Sequence, residues 1–151
     1  MFGSYLNESM IKRARAKKLV DVRIHDLRKF SRDKHRHVDD RPYGGGPGMV
    51  IKIEPIARAI GSILKSKIKN QKSKIILFSA AGKQFNAKMA ADWAKKYGRI
   101  IMIAGRYEGM DERIKKLIYD LGFKTDEISI GPYVLTGGEL PAMIVVDAVS
   151  R

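Results

Sequence analysis

From residue 74 onward short β-branched runs alternate with helical stretches, the pattern of a mainly parallel α/β sheet. Residues 74–79 (KIILFS) and 99–104 (RIIMIA) predict buried strands. Between them, residues 86–97 predict a helix whose apolar stripe is Ala87, Ala90, Ala91, Trp93 and Ala94. A further helix runs through residues 112–119, capped by Asp111 and ended by Gly122, and residues 125–129 form a weaker strand pattern. Upstream, Ile56, Ile60, Ile63 and Leu64 recur at helical spacing in residues 55–68, with Pro55 suited to the first turn. Residues 20–25 alternate like a half-buried strand, and residues 4–17 predict one or two short helices. The final segment, residues 140–149, is apolar nearly all round, so its helix must be buried on more than one face, in the core or against a second copy of the chain.

Residues 31–49 are polar and then glycine-rich, a stretch long enough to predict a functional loop rather than a connector. At 151 residues the chain suits one domain, residues 1–151, with no internal repeat or low-complexity linker. The formal charge of +14 changes the picture by favouring a polyanionic partner, nucleic acid before an anionic membrane surface. That charge is uneven: residues 65–99 carry ten lysines or arginines against one acid, Asp92. Without cysteine, thiol nucleophiles, disulfides and thiolate metal sites are excluded, and His25, His35 and His37 have no zinc-ligand spacing. No apolar run approaches the roughly 20 residues of a membrane span, and the amino terminus lacks a leader pattern, so a soluble cytoplasmic protein is expected.

Candidate chemistry gathers in four passages. In residues 130–143 (IGPYVLTGGELPAM), Gly131, Gly137 and Gly138 bracket Tyr133 and Leu135, which suits a backbone-lined ligand cradle, and Pro141 puts the start of the following helix near Gly138. Residues 39–49 (DDRPYGGGPGM) join Asp39, Asp40 and Arg41, acceptors and a donor fork for a base or ribose, to a backbone rich in turns; they match neither a P-loop nor a dinucleotide fingerprint. Residues 105–113 (GRYEGMDER) follow a predicted strand and so fall at the carboxyl edge of the sheet, as do residues 78–84 (FSAAGKQ). There Glu112 with Lys116 reads as an ordinary helix pair, while Gly105, Arg106 and Glu108 do not. At the carboxyl end, Asp147 and Arg151 stand four apart, the spacing of an exposed ion pair.

These passages resemble, nearly residue for residue, the bacterial tRNA (guanine-N1)-methyltransferases of the SPOUT superfamily. The resemblance implies a SPOUT-type, mainly parallel sheet flanked by helices, with a deep trefoil knot toward the carboxyl-terminal half, and a homodimer. It implies S-adenosylmethionine as cofactor, held by Ser79, Gly105, Tyr107, Ser129, Ile130, Gly131, Pro132, Tyr133, Val134, Leu135, Gly137, Gly138 and Pro141. The substrate would be tRNA, methylated at guanosine 37 beside the anticodon, with Asp39, Asp40, Arg41, Tyr43, Gly48 and Arg106 on the guanosine side. Glu108 would lie by the guanine and take part in a magnesium dependence, and Arg151 would steady negative charge on the base. Two positions depart from the family pattern: Ala80 where proline is usual after the serine, and Pro132 where an acidic residue is common. The family's enzymes also carry a preceding strand, and a later helical domain whose approach holds the general base. The chain is therefore expected to be the cofactor domain alone, binding cofactor and methylating tRNA feebly or not at all. Two rivals stay open: a non-catalytic RNA-binding domain, and a SPOUT methyltransferase acting on ribosomal RNA.

Overall fold

The computed structural model describes residues 1–41, 45, 48–65, 72–106 and 110–151. Two short helices, α1 (Phe2–Leu6) and α2 (Ser9–Ala16), open the chain, and a single 3-10 turn follows at Leu27–Phe30. A two-residue ladder of β1 (Asp39–Asp40) and β2 (Val50–Ile51) closes the glycine-rich loop at its base, pairing Asp39 with Ile51 and Asp40 with Val50. Then come α3 (Ile53–Lys65), β3 (Ser73–Gln84), α4 (Ala87–Lys96), β4 (Arg99–Ile103), α5 (Arg113–Asp120), β5 (Thr125–Ser129) and α6 (Glu139–Ser150). The main sheet runs β4-β3-β5 with both pairings parallel, so the connection through α5 crosses from one side of β3 to the other.

Two cores sandwich this sheet because alternate residues of β3 point to opposite faces. Ile75 and Leu77 pack with Ile101 and Ile103 of β4 beneath α3 (Ile56, Ile60) and α5 (Ile114, Ile118). Ile76 packs with Ile128, with Trp93 of α4 and with Val145 of α6 on the other side. A strand covered on both faces needs no polar alternation, which is why β3 and β4 read as continuous apolar runs.

Several expectations change in three dimensions. Beyond the predicted residues 74–79, β3 runs on to Gln84 through an interruption: Phe78 and Lys83 both lie opposite Ile128, with residues 79–82 looped out between them. Gly82 makes this possible, since a β-carbon there would sit 2.7 Å from the Glu127 carbonyl carbon and the Ile128 nitrogen, in the backbone of β5. Residues 20–25 have no strand pairing; Val22 packs instead onto Leu6, Ile11 and Val146, so helices rather than a sheet edge take up its apolar surface. In α4 only Ala90 and Trp93 are buried, while Ala87, Ala91 and Ala94 face outward, because this short helix offers a single narrow face to the sheet. Lys74 is a buried cation; it pairs with Asp126 and lies 5.0 Å from the Trp93 ring centre and 5.1 Å from that of Tyr97. The predicted extension of α3 to residue 68 lies outside the described residues.

Helix α6 begins where Pro141 placed it, with Gly138 as its cap. Pro141, Ala142, Val145 and Val146 are buried, whereas Leu140 and Ile144 remain 46% and 45% exposed, so the helix is apolar beyond the face the chain covers. Its only acid after the first turn, Asp147, accepts a 2.7 Å hydrogen bond from the Tyr5 hydroxyl and so ties α1 to α6. That acceptor carboxylate holds the Tyr5 phenol above its ordinary range. The contribution is present in full below the unfolded phenol value of 10.0 and is lost as pH rises through the folded one. Tyr5→Phe is expected to lower stability by about 0.5–1 kcal/mol, the low end for a hydrogen bond because the pair is solvent-exposed; urea melts at pH 7 and pH 11 measure it, and the difference between the parent chain and the variant should shrink at the higher pH. Among the described residues no helix is long and apolar enough to cross a membrane.

Candidate functional site

At the carboxyl edge of the sheet three chain passages meet around a cleft of about 430 Å³. From β3 come Phe78, Ser79, Ala80 and Ala81; from the end of β4, Gly105 and Arg106; from the end of β5, Ser129, Ile130, Tyr133, Val134, Leu135, Gly137 and Gly138, with Pro141 of α6 behind. Open parallel sheets place ligands at this edge because the connecting loops diverge there.

The loop after β5 is built by Ser129, whose buried hydroxyl donates to the Gly131 carbonyl at 2.8 Å and accepts from the Gly131 amide at 3.3 Å. Gly131 is buried and shapes the turn without lining the cleft, and Pro132 is exposed beside it. The loop holds apolar side chains in the open: Tyr133 is 53% and Val134 85% exposed. Its far end is clamped to β4. The Gly138 amide donates to the Gly105 carbonyl at 2.7 Å, Arg106 bridges to Gly137 in antiparallel fashion, and the Arg106 Nε donates to Glu139 Oε1 at 2.6 Å. Glu139 in the first turn of α6 is also favoured there by the positive end of the helix dipole.

Strand β2 touches this region from the side. Ile51 of β2 bridges to Met110, which lines the cleft against Gly105, and the Asp111 amide donates to the Ile51 carbonyl at 3.3 Å. Asp39, Asp40, Arg41 and Gly48 are not among the lining residues, and Tyr43, Tyr107 and Glu108 lie outside the described residues. Arg151 is exposed at the end of α6 and outside the cleft; Asp147 takes Tyr5 as its partner rather than Arg151.

Three charged residues that line the cleft are absent from the sequence-based site. Lys115 is held between Glu112, at 2.7 Å, and Glu127, and the two carboxylates raise its ammonium above the ordinary lysine range. The helix pair of Glu112 is thus with Lys115 at i,i+3, not with Lys116. Nothing local announces Glu127, which β5 brings across from another element; the i,i+3 spacing was the one available signal. Beside them Arg113 holds the Asp111 carboxyl below the usual carboxylate range through hydrogen bonds at 2.9 Å and 2.5 Å. Asp111 also accepts from the Arg113 amide at 3.0 Å, one residue ahead of Glu112, which takes the cap position of α5 in place of the expected Asp111. The cleft lining carries two cations, Arg106 and Lys115, against two carboxylates, Glu112 and Glu127, with Glu139 paired to Arg106 outside the lining. Among the described residues no three His, Asp or Glu side chains gather as a metal site.

A three-layer α/β fold with a backbone-lined cleft at the carboxyl edge of a parallel sheet defines the class: an α/β protein with a loop-built ligand site. The family model described as tRNA (Guanine-1)-methyltransferase TrmD matches residues 1–151, and the chain belongs to that family. It is 51% identical over its whole length to the tRNA (guanine-N(1)-)-methyltransferase of Dictyoglomus turgidum, and 50% identical to that of Citrifermentans bemidjiense, covering 57% of each. A Dehalococcoides mccartyi relative of the same description is 48% identical, with 58% of it covered. The chain therefore spans a little over half the length of these relatives.

Proposed function

We propose that the cleft binds S-adenosylmethionine and serves methylation of guanine N1 in tRNA, at guanosine 37. The cofactor, when bound, supplies a methyl group on a sulfonium. One observation carries the reading: the described residues assigned to the cofactor from sequence converge on one cleft, Ser79 and Gly105 on one side and residues 129–138 on the other, with only Gly131 and Pro132 set back. Its chemistry fits the group. The exposed apolar Tyr133 and Val134 suit the face of a flat purine.

The guanosine side falls to Arg106 and the loop of Asp39, Asp40, Arg41, Tyr43 and Gly48. The contact of Ile51 with Met110 supports this by joining the base of that loop to the rim. Guanine N1 is protonated at neutral pH, so transfer requires removal of that proton and stabilisation of charge on the base. We assign the second task to Arg151, and to Glu108 a place beside the guanine with a magnesium ion. The cleft-forming half is read as the knotted part of the fold. A second copy packed on α6 is supported by the uncovered Leu140 and Ile144.

Calorimetric titration of S-adenosylmethionine into the chain tests the reading. Saturable heat at one site per chain, lost on Gly105→Val, is expected; absence of heat, together with salt-sensitive RNA binding, would leave a cofactor-free RNA-binding domain in its place.

A further inference from the structure

A second concavity, about 480 Å³ and sharing no residue with the cleft, lies between the α1–α2 hairpin and the segment after it. Lys12, Arg15 and Lys18 line it with Asn7, Val20 and Asp21. Asp21 is occupied by Arg23 at 2.8 Å, and among the described residues Lys12 and Lys18 have no ion-pair partner. One guanidinium nitrogen of Arg15 is pinned by the Leu6 carbonyl and the Asn7 Oδ1, both at 3.0 Å. This holds the group in the wall as a fixed donor.

Lys18 stands in an unusual place. The Leu19 amide donates to the Ala14 carbonyl and the Lys18 amide to the Arg15 carbonyl, both at 2.9 Å, the hydrogen-bond pair of a helix ending on a left-handed residue. Lys18 is that residue, with φ +58°, where glycine is the unstrained choice. A lysine here costs backbone stability and places a cation at the concavity's edge, where the negative end of the α2 dipole also favours it.

We propose that this concavity is a sequence-independent docking site for the phosphate backbone of RNA, outside the catalytic cleft. Three cations lining one concavity, two of them without an ion-pair partner among the described residues, suit a polyanion such as a phosphate backbone. A membrane surface fits less well, because Ile11 of α2 is taken up by the core and only Met10, 61% exposed, and Leu19, 75% exposed, are left beside the groove, too little for an inserting apolar face. The inference rests on the reading of the substrate as RNA.

The test compares the full chain with Lys12→Gln/Lys18→Gly, and with Lys95→Gln/Lys96→Gln on α4 as an equal charge change elsewhere. Binding to an unmodified tRNA transcript is followed by fluorescence anisotropy across a salt series. The groove variant is expected to bind about tenfold more weakly, with a salt slope shallower by about 2, one for each lysine. Its Tm is expected to rise by about 2–4 °C, since glycine relieves the left-handed position, so weaker binding cannot be ascribed to unfolding. S-adenosylmethionine binding should be unchanged. Equal losses in both variants, or an unaltered groove variant, would overturn the docking site alone. No RNA binding by the parent chain would overturn it together with the RNA reading, and groove-dependent binding to phosphatidylserine vesicles without RNA binding would replace it with a membrane contact.

Discussion

Gly138→Ala is expected to abolish ligand binding in the cleft and to lower stability by about 1–3 kcal/mol, the usual cost of forcing volume into packed structure. Conformation is not the cause, because Gly138 has φ −80°, which alanine adopts freely. The cause is contact: a β-carbon would lie 2.6 Å from the Ala104 Cα and 3.0 Å from the Gly105 nitrogen, both main-chain atoms that no rotamer change can move. Relief requires α6 to slide off the end of β4, which breaks the hydrogen bond from the Gly138 amide to the Gly105 carbonyl and separates two walls of the cleft. Calorimetry and urea melts measured on the same samples would check this; binding retained at parental strength would show that the clamp is not what shapes the site.

Ile60→Ala is expected to cost more stability and much less binding, about 2–5 kcal/mol. Ile60 is 1% exposed in α3 and sits in the core shared by Ile75, Leu77, Ile101 and Ile118. Truncation leaves a void beneath the sheet, on the α3 and α5 side. Because Ile60 does not line the cleft, the folded fraction should bind ligand with unchanged affinity. Against a total stability of about 5–15 kcal/mol, such a loss is large enough to shift the urea midpoint visibly. If binding weakened in the same proportion as for Gly138→Ala, the cleft would be no more than a reflection of global stability.

Legibility in the sequence followed how local each determinant is. The strands of β3 and β4, the amphipathic α3 and the start of α6 at Gly138 could be read from runs, spacing and Pro141, because burial on both faces or on one stripe leaves a repeating signature. The passages that line the cleft were legible as loops at strand ends, with glycines bracketing the one after β5, and their convergence followed from parallel topology. Residues 20–25 misled because a strand-like alternation there marks packing against helices. The alanines of α4 misled because alanine is apolar enough to suggest a face and small enough to be left on the surface.

Determined by sequence alone, then, were the α/β class, the basic charge and the chemistry of the two glycine-rich passages, since each depends on neighbours within a few residues. Tertiary structure alone decided that Gly82 and Gly138 are required by main chain reaching them from β5 and β4, that Glu127 joins Glu112 and Lys115 in the cleft, and that Asp147 answers to Tyr5 rather than Arg151. Such contacts join residues up to 142 positions apart, and hydrogen bonding and steric exclusion act over a few ångströms of space, whatever the separation along the chain.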